Sequence, residues 1–167
     1  PYSWLGRHAD LEAHLHSTFE RLDGSGMPPR NPRASDRDRA DLEALLAYLE
    51  EMPGPNLDDA WLPPAKRALL ARGETLFNAD AQGCARCHQS GGSDSAQHDL
   101  GTRTAADLDD AFDTPSLRFV GGTAPYFHDG RYASLIDLLR ATDAEMGHTM
   151  HLSRRDAEAL AAYLETL

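Results

Sequence analysis

Apolar residues recur three and four positions apart along much of this chain, the spacing of a helix that buries one face. Leu11, Leu15, Phe19 and Leu22 make one such stripe between Asp10 and Leu22. Leu42, Leu45, Leu46 and Leu49 make a second, inward-facing one, in a stretch that Ser35 can cap and that runs to Met52. Pro63-Pro64 opens a third helix through about Phe77, with Leu69, Leu70, Leu76 and Phe77 apolar; proline suits a first turn, where its missing N–H has no helical partner. Ser134 can cap Leu135 to Arg140, and Ser153 with Asp156 resembles a capping box for a last helix that reaches Leu167. From Ser90 to Thr123 the chain is rich in Gly, Ser, Thr and Asp and reads as loops, with a short turn near Ala105 to Leu108. The expected fold class is therefore all-α.

Between the third helix and those loops lies Cys84-Ala85-Arg86-Cys87-His88, which holds both cysteines of the chain. C-x-x-C-H is the spacing of covalent c-type haem attachment. Two thiols one turn apart each form a thioether to a vinyl group, and the adjacent histidine supplies the proximal iron ligand. The competing readings are weaker. A thioredoxin-like motif needs a βαβ pattern, and no strand-rich segment is nearby. A zinc site needs further ligands at finger spacing, and His98 has no histidine three to five residues on. A disulfide across two residues is strained. One covalent haem c is the expected cofactor, and without it the chain is expected to fold poorly.

The other haem face needs a ligand. Met146-Gly147-His148-Thr149-Met150-His151 is the densest group of candidates, in a polar loop between helices. Met146 comes first, because the glycine after it lets the backbone approach closely. Met150 is the runner-up. His148, His151, His128 and His98 remain as histidine alternatives. A methionine ligand raises the potential and makes an electron carrier, whereas an open site allows peroxide chemistry.

An internal repeat sets the organisation. Residues 1–11, PYSWLGRHADL, match residues 125–135, PYFHDGRYASL, at six of eleven positions. Residues 41–50, DLEALLAYLE, match residues 156–165, DAEALAAYLE, at eight of ten. The two blocks keep their order. Residues 1–56 thus read as the back half of an upstream, degenerate cytochrome-like repeat plus a linker at Met52-Pro53-Gly54-Pro55-Asn56. Residues 57–167 read as a mono-haem domain. A haem-binding helix, loops and a terminal Leu/Tyr helix form the layout of a class I cytochrome c.

The chain has 167 residues and a formal net charge of −11. That acidity argues against nucleic acid and anionic membranes as partners, and favours a redox partner with a basic docking surface. No apolar run reaches membrane-spanning length. Haem c is attached outside the bacterial cytoplasm, so a periplasmic or extracellular protein is expected. The chain opens on Pro1 rather than methionine, as a processed or partial chain does.

Phe112-Asp113-Thr114-Pro115-Ser116-Leu117-Arg118 and Thr123-Ala124-Pro125-Tyr126-Phe127-His128-Asp129-Gly130-Arg131, with Cys84–His88 upstream and Met146-Gly147 downstream, carry a resemblance. From about residue 64 to 167 the chain resembles the C-terminal, electron-transfer haem domain of the bacterial di-haem cytochrome c peroxidase and MauG family. The resemblance implies His/Met ligation, on His88 and Met146. It implies His128 near the haem, between two haem domains, with Arg118 and Arg131 as candidate propionate partners. It also implies a calcium ion held partly by the carbonyls of Thr123 and Pro125. The chain departs from the family in having a single C-x-x-C-H, and Trp4 and Leu5 replace the His-Asp of the motif in the first repeat. The leading expectation is an electron-transfer cytochrome within a larger multi-haem or peroxidase-like protein. The alternative is a peroxidase or MauG-like oxidase whose peroxidatic haem lies elsewhere. Residues 1–52 are expected to dock against another chain or segment that completes the half-repeat.

Overall fold

The computed structural model describes residues 5–22, 33–52, 62–143 and 146–167, in two compact units, Pro1–Pro53 and Gly54–Leu167. Residues 1–4 of the repeat and the linker from Pro53 to Asn56 lie outside the described residues.

In the first unit, helix α1 spans Leu11–Arg21 and α2 spans Asp36–Glu50. The Asp10 carboxylate accepts from the Ala13 amide at 2.7 Å and starts α1. Ser35 and Asp38 close a reciprocal capping box that starts α2, satisfying two orphan amides at once. The apolar stripe of α1 is only partly inward. Leu11 and Leu15 are half-buried, Phe19 and Leu22 are exposed, and the buried residue of α1 is His16. Leu22 caps the end of the helix, beyond the last full turn, which is why its side chain escapes the face. In α2 the buried residue is Leu42, with Leu45, Leu46 and Leu49 half-buried.

The second unit is built on α3 (Pro64–Phe77) packed against α6 (Arg154–Leu164). They cross at Gly73. A Cβ there would run into the Ala159 carbonyl oxygen and come within 2.6 Å of Tyr163 Cβ, so only glycine lets the two backbones approach this closely. Phe77 and Leu160 are fully buried beside the crossing, and the Tyr163 ring leans on Phe77 at 5.5 Å. Arg72 pairs with Asp156 at 2.7 Å along the rim. Helix α5 (Leu135–Ala141), capped by Ser134, adds Leu135 and Leu139 to the same core. Ser153 caps α6 by accepting from the Asp156 amide, and the helix ends at Leu164 rather than Leu167, with Glu165 as its cap.

Between these helices sit a one-turn helix, α4 (Cys84–Cys87), and a long loop region. The loops contain one small antiparallel pair that the composition did not signal, β1 (Gln97–His98) and β2 (Phe112–Asp113). The short turn expected near Ala105 is present, with Asp107 accepting from both the amide and the hydroxyl of Thr104 at 2.7 Å.

The two copies of the repeat differ in what covers them. Ala159 and Leu160 are fully buried under α3, while their matches Ala44 and Leu45 are exposed and half-buried. Tyr48, the match of Tyr163, is 66% exposed. The described residues of the first unit form counterparts of α5 and α6 and none of α3.

Gly73→Ala tests the crossing. Removing a helical glycine favours the helix by about 1 kcal/mol, but overpacking against backbone costs about 3 kcal/mol. A net loss of roughly 2 kcal/mol should appear as a lower midpoint in thermal unfolding of the haem-loaded protein. An unchanged or raised midpoint would mean the helices do not meet there.

Candidate haem-attachment site

Helix α3 ends at Phe77, and the chain turns back on itself through the bonds from the Gln82 and Gly83 amides to the Ala79 carbonyl, at 3.1 and 3.2 Å. Gly83 takes φ +77°, a left-handed conformation that suits glycine, and serves as the N-cap of α4. The single turn Cys84–Cys87 is closed by His88 N–H donating to Cys84 O at 3.0 Å. Both cysteines are free thiols and half-buried. Burial pushes both thiols up, and Asp94 adds to the shift at Cys87.

His88 is oriented by the loop region. Its Nδ1 lies 3.1 Å from the carbonyl oxygen of Pro115. A carbonyl only accepts, so Nδ1 carries the proton and Nε2 is left with its lone pair. Burial pushes the His88 pKa down, which keeps the ring neutral. The Pro115 carbonyl is held in turn by the bonds from Thr114 N–H to Ala96 O and from Leu117 N–H to Gly91 O.

The Met146 segment reaches the same turn. His148 N–H donates to Gln82 O at 3.0 Å. Gly147 takes φ +144°, and a Cβ there would come within 2.6 Å of Gln82 O and 3.7 Å of Cys84 Sγ. Met146 is half-buried, whereas Met150 is 58% exposed and His148 and His151 are exposed. His151 contacts the buried Gln82 side chain at 3.4 Å.

The remaining candidates fall elsewhere. His98 Nε2 donates to Asp94 at 2.8 Å and lies 3.8 Å from Cys87 Sγ. One donor atom from each of Cys87, Asp94 and His98 lies within 4.8 Å of the others; once Cys87 forms a thioether, its sulfur is no longer a thiolate donor and the Asp94–His98 pair remains beside the attachment point. His128 stacks on Phe112 with ring centroids 3.9 Å apart. Its two nitrogens face Thr102 O at 3.2 Å and Asp107 Oδ1 at 3.6 Å. Arg131 is committed to Asp129 and to Thr102 O, and its guanidinium covers the Phe127 ring. Arg118 is exposed, and among the described residues no carboxylate pairs with it. Thr123 and Pro125 are exposed.

A family profile for cytochrome c matches residues 70–167, from α3 to the last residue of the chain. The chain belongs to the cytochrome c family. Among curated proteins, this cytochrome is 27% identical over 176 residues to the hydrazine synthase subunit gamma of Kuenenia stuttgartiensis, covering 75% of this chain and 48% of that protein. It is 34% identical over 135 residues to the methylamine utilization protein MauG of Methylorubrum extorquens AM1, covering 65% of this chain and 38% of that one. The cytochrome thus spans about half the length, or less, of the curated relatives it matches. A solved chain of the Kuenenia stuttgartiensis hydrazine synthase, pressurised with xenon, superposes with a TM-score of 0.68 at 23% identity, covering 100% of this chain and 68% of the other, and shares the fold. The resemblance to the di-haem peroxidase and MauG family holds through these relatives. No described helix is long and apolar enough to cross a membrane.

A cytochrome c domain implies covalently bound haem c, and the donor set fits. Two thiols lie on one turn, a neutral imidazole has its outer nitrogen committed, and glycine at 147 leaves the attachment turn uncrowded. Pro115 as the partner of His88, Gln82 as the anchor of the Met146 segment, and Asp94 beside His98 were not identified from the sequence. Only the last pair had a signal, an acid–His spacing of four in a loop.

Burial pushes the Asp94 carboxyl up, but hydrogen bonds from His98, the Ala96 amide and Thr114 outweigh it and bring the pKa to about 2. A carboxyl held below its unfolded value of about 3.9 stabilises the fold above that pH and loses the contribution as pH falls towards 2. The stability difference between the cytochrome and its Asp94→Asn variant, read by denaturant unfolding, should be full at pH 5 and mostly lost at pH 2, where the folded carboxyl is about half protonated. An equal difference at both would contradict the assignment.

Proposed function

We propose that this cytochrome carries electrons through one covalently bound haem, attached at Cys84 and Cys87 and ligated at iron by His88 and Met146. The observation that carries this reading is the bond from His148 N–H to Gln82 O, which fastens the Met146 segment across the turn leading into Cys84. The haem supplies the one-electron couple when bound. His88 presents Nε2 in a tautomer fixed by Pro115. Met146 offers a thioether sulfur, which raises the potential and fills the position that peroxide would need. Arg118, exposed and without a carboxylate partner among the described residues, is the better propionate partner, while Arg131 braces the Asp129 turn. The Thr123 and Pro125 carbonyls are assigned to a calcium ion shared with a neighbouring domain. The net charge of −11 suits a redox partner with a basic docking surface, with an association rate that falls as salt rises. The domain works in the periplasm or outside the cell. The half-covered α2 calls for another segment or chain to complete the first repeat.

A second reading is a di-haem peroxidase or MauG-like oxidase in which this domain relays electrons to a peroxidatic haem outside the chain. The likeness to MauG and the half-repeat favour it. Intact mass with a pyridine haemochrome assay should give one haem per chain of this length, and a second haem would overturn the assignment. The ferric protein should show an Fe–S(Met) charge-transfer band that Met146→Ala abolishes, together with a high-spin spectrum and new reactivity with peroxide. A wild-type protein that is already high-spin and turns over peroxide would favour the enzymatic reading.

A further inference from the structure

The Met146 segment leaves α5 at Thr142 and joins the turn before α6 at Thr149, and both threonines are buried. Their hydroxyls act differently. Thr142 Oγ1 donates to Leu138 O at 2.9 Å, one turn back along its own chain. Thr149 Oγ1 reaches across instead, 2.7 Å from Leu139 O and 3.2 Å from Thr142 O.

Those carbonyls stand at the C-terminal end of α5, where the helix stops at Ala141 and its last carbonyls have no amide four residues on within the helix. The Thr149 hydroxyl therefore caps α5 from outside and holds the base of the Met146–His148 loop. A backbone bridge between Asp143 and His148 lies just above. On the far side, His148 N–H holds Gln82 O. Met146 and Gly147 hang between these fastenings.

We propose that Thr149 is a positioning residue for Met146, setting how often the loop detaches from the attachment turn. The inference rests on Met146 as the sixth ligand. A buried hydroxyl lost at the base leaves the Leu139 carbonyl, its nearer acceptor, short of a donor, and the closed loop loses stability relative to the detached one. An external ligand that binds only while the loop is detached has an apparent affinity proportional to that fraction.

The experiment uses the haem-loaded protein, with imidazole as the competing ligand. Thr149→Val keeps the shape and removes the donor. It should tighten apparent imidazole binding about tenfold, the size expected for one buried hydrogen bond. Thr149→Ser should restore the wild-type value. Thr142→Val removes an equally buried hydroxyl that makes no bond to the loop. It should lower the unfolding midpoint and leave imidazole binding unchanged. If the valine protein does not accumulate with haem, Thr149→Ala, which brings no methyl against the Leu139 carbonyl, gives the same reading. Met146→Ala should bind imidazole more tightly than either threonine variant, and adding Thr149→Val to it should change nothing further.

Wild-type imidazole affinity in Thr149→Val, with tight binding in Met146→Ala, overturns the role of Thr149 and leaves Met146 as the ligand. Equal tightening in Thr142→Val and Thr149→Val overturns it too, because the effect is then one of general stability. Unchanged binding in Met146→Ala removes the ligand assignment, and the positioning role falls with it.

Discussion

The close crossing of α3 and α6 at Gly73 is the constraint on which the rest of the haem domain depends. It fixes the exit of α3, and thereby the turn through Gln82 that presents Cys84, Cys87 and His88. It equally fixes the entry of α6, and with it the Thr149–Ser153 stretch that carries the Met146 segment back. The attachment turn and the Met146 segment meet because two helix ends are held at one crossing. Leu76, Phe77, Leu160 and Leu164 seal it.

Among the described residues of the first unit, the same sequence block stands without a counterpart of that crossing. Residues 41–50 and 156–165 agree at eight of ten positions and share a capping serine upstream, and both form helices. Yet Ala159 and Ala162, buried in α6, match Ala44 and Ala47, which are exposed in α2, and Tyr48 is more exposed than the half-buried Tyr163. Local signals set the helix, and burial comes from a partner element. The half-covered face of α2 is what the proposed completion by another segment would bury.

Much of this was legible in the sequence. The caps at Ser35, Ser134 and Ser153 act through contacts of three residues, so short-range patterns reveal them. The C-x-x-C-H motif is likewise local. What stayed hidden depends on contacts between distant residues. The β1–β2 pair joins stretches fifteen residues apart that carry no alternating pattern. The Pro115 carbonyl reaches His88 across 27 residues, and the Thr149 hydroxyl reaches an α5 carbonyl through a reversal of the chain. The outward turn of Phe19 and Leu22 was hidden for a related reason, since periodicity marks a face but not what covers it.

The central claim is that Met146, held against the attachment turn, completes the iron. Proton–carbon NMR of the reduced, haem-loaded protein with labelled methionine methyls tests it most directly. Of the four methionines, one methyl should be displaced far upfield by the haem ring current, and that resonance should be absent from Met146→Ala. Four methyls in the ordinary range, or a displaced methyl that disappears with Met150 instead, would contradict the account.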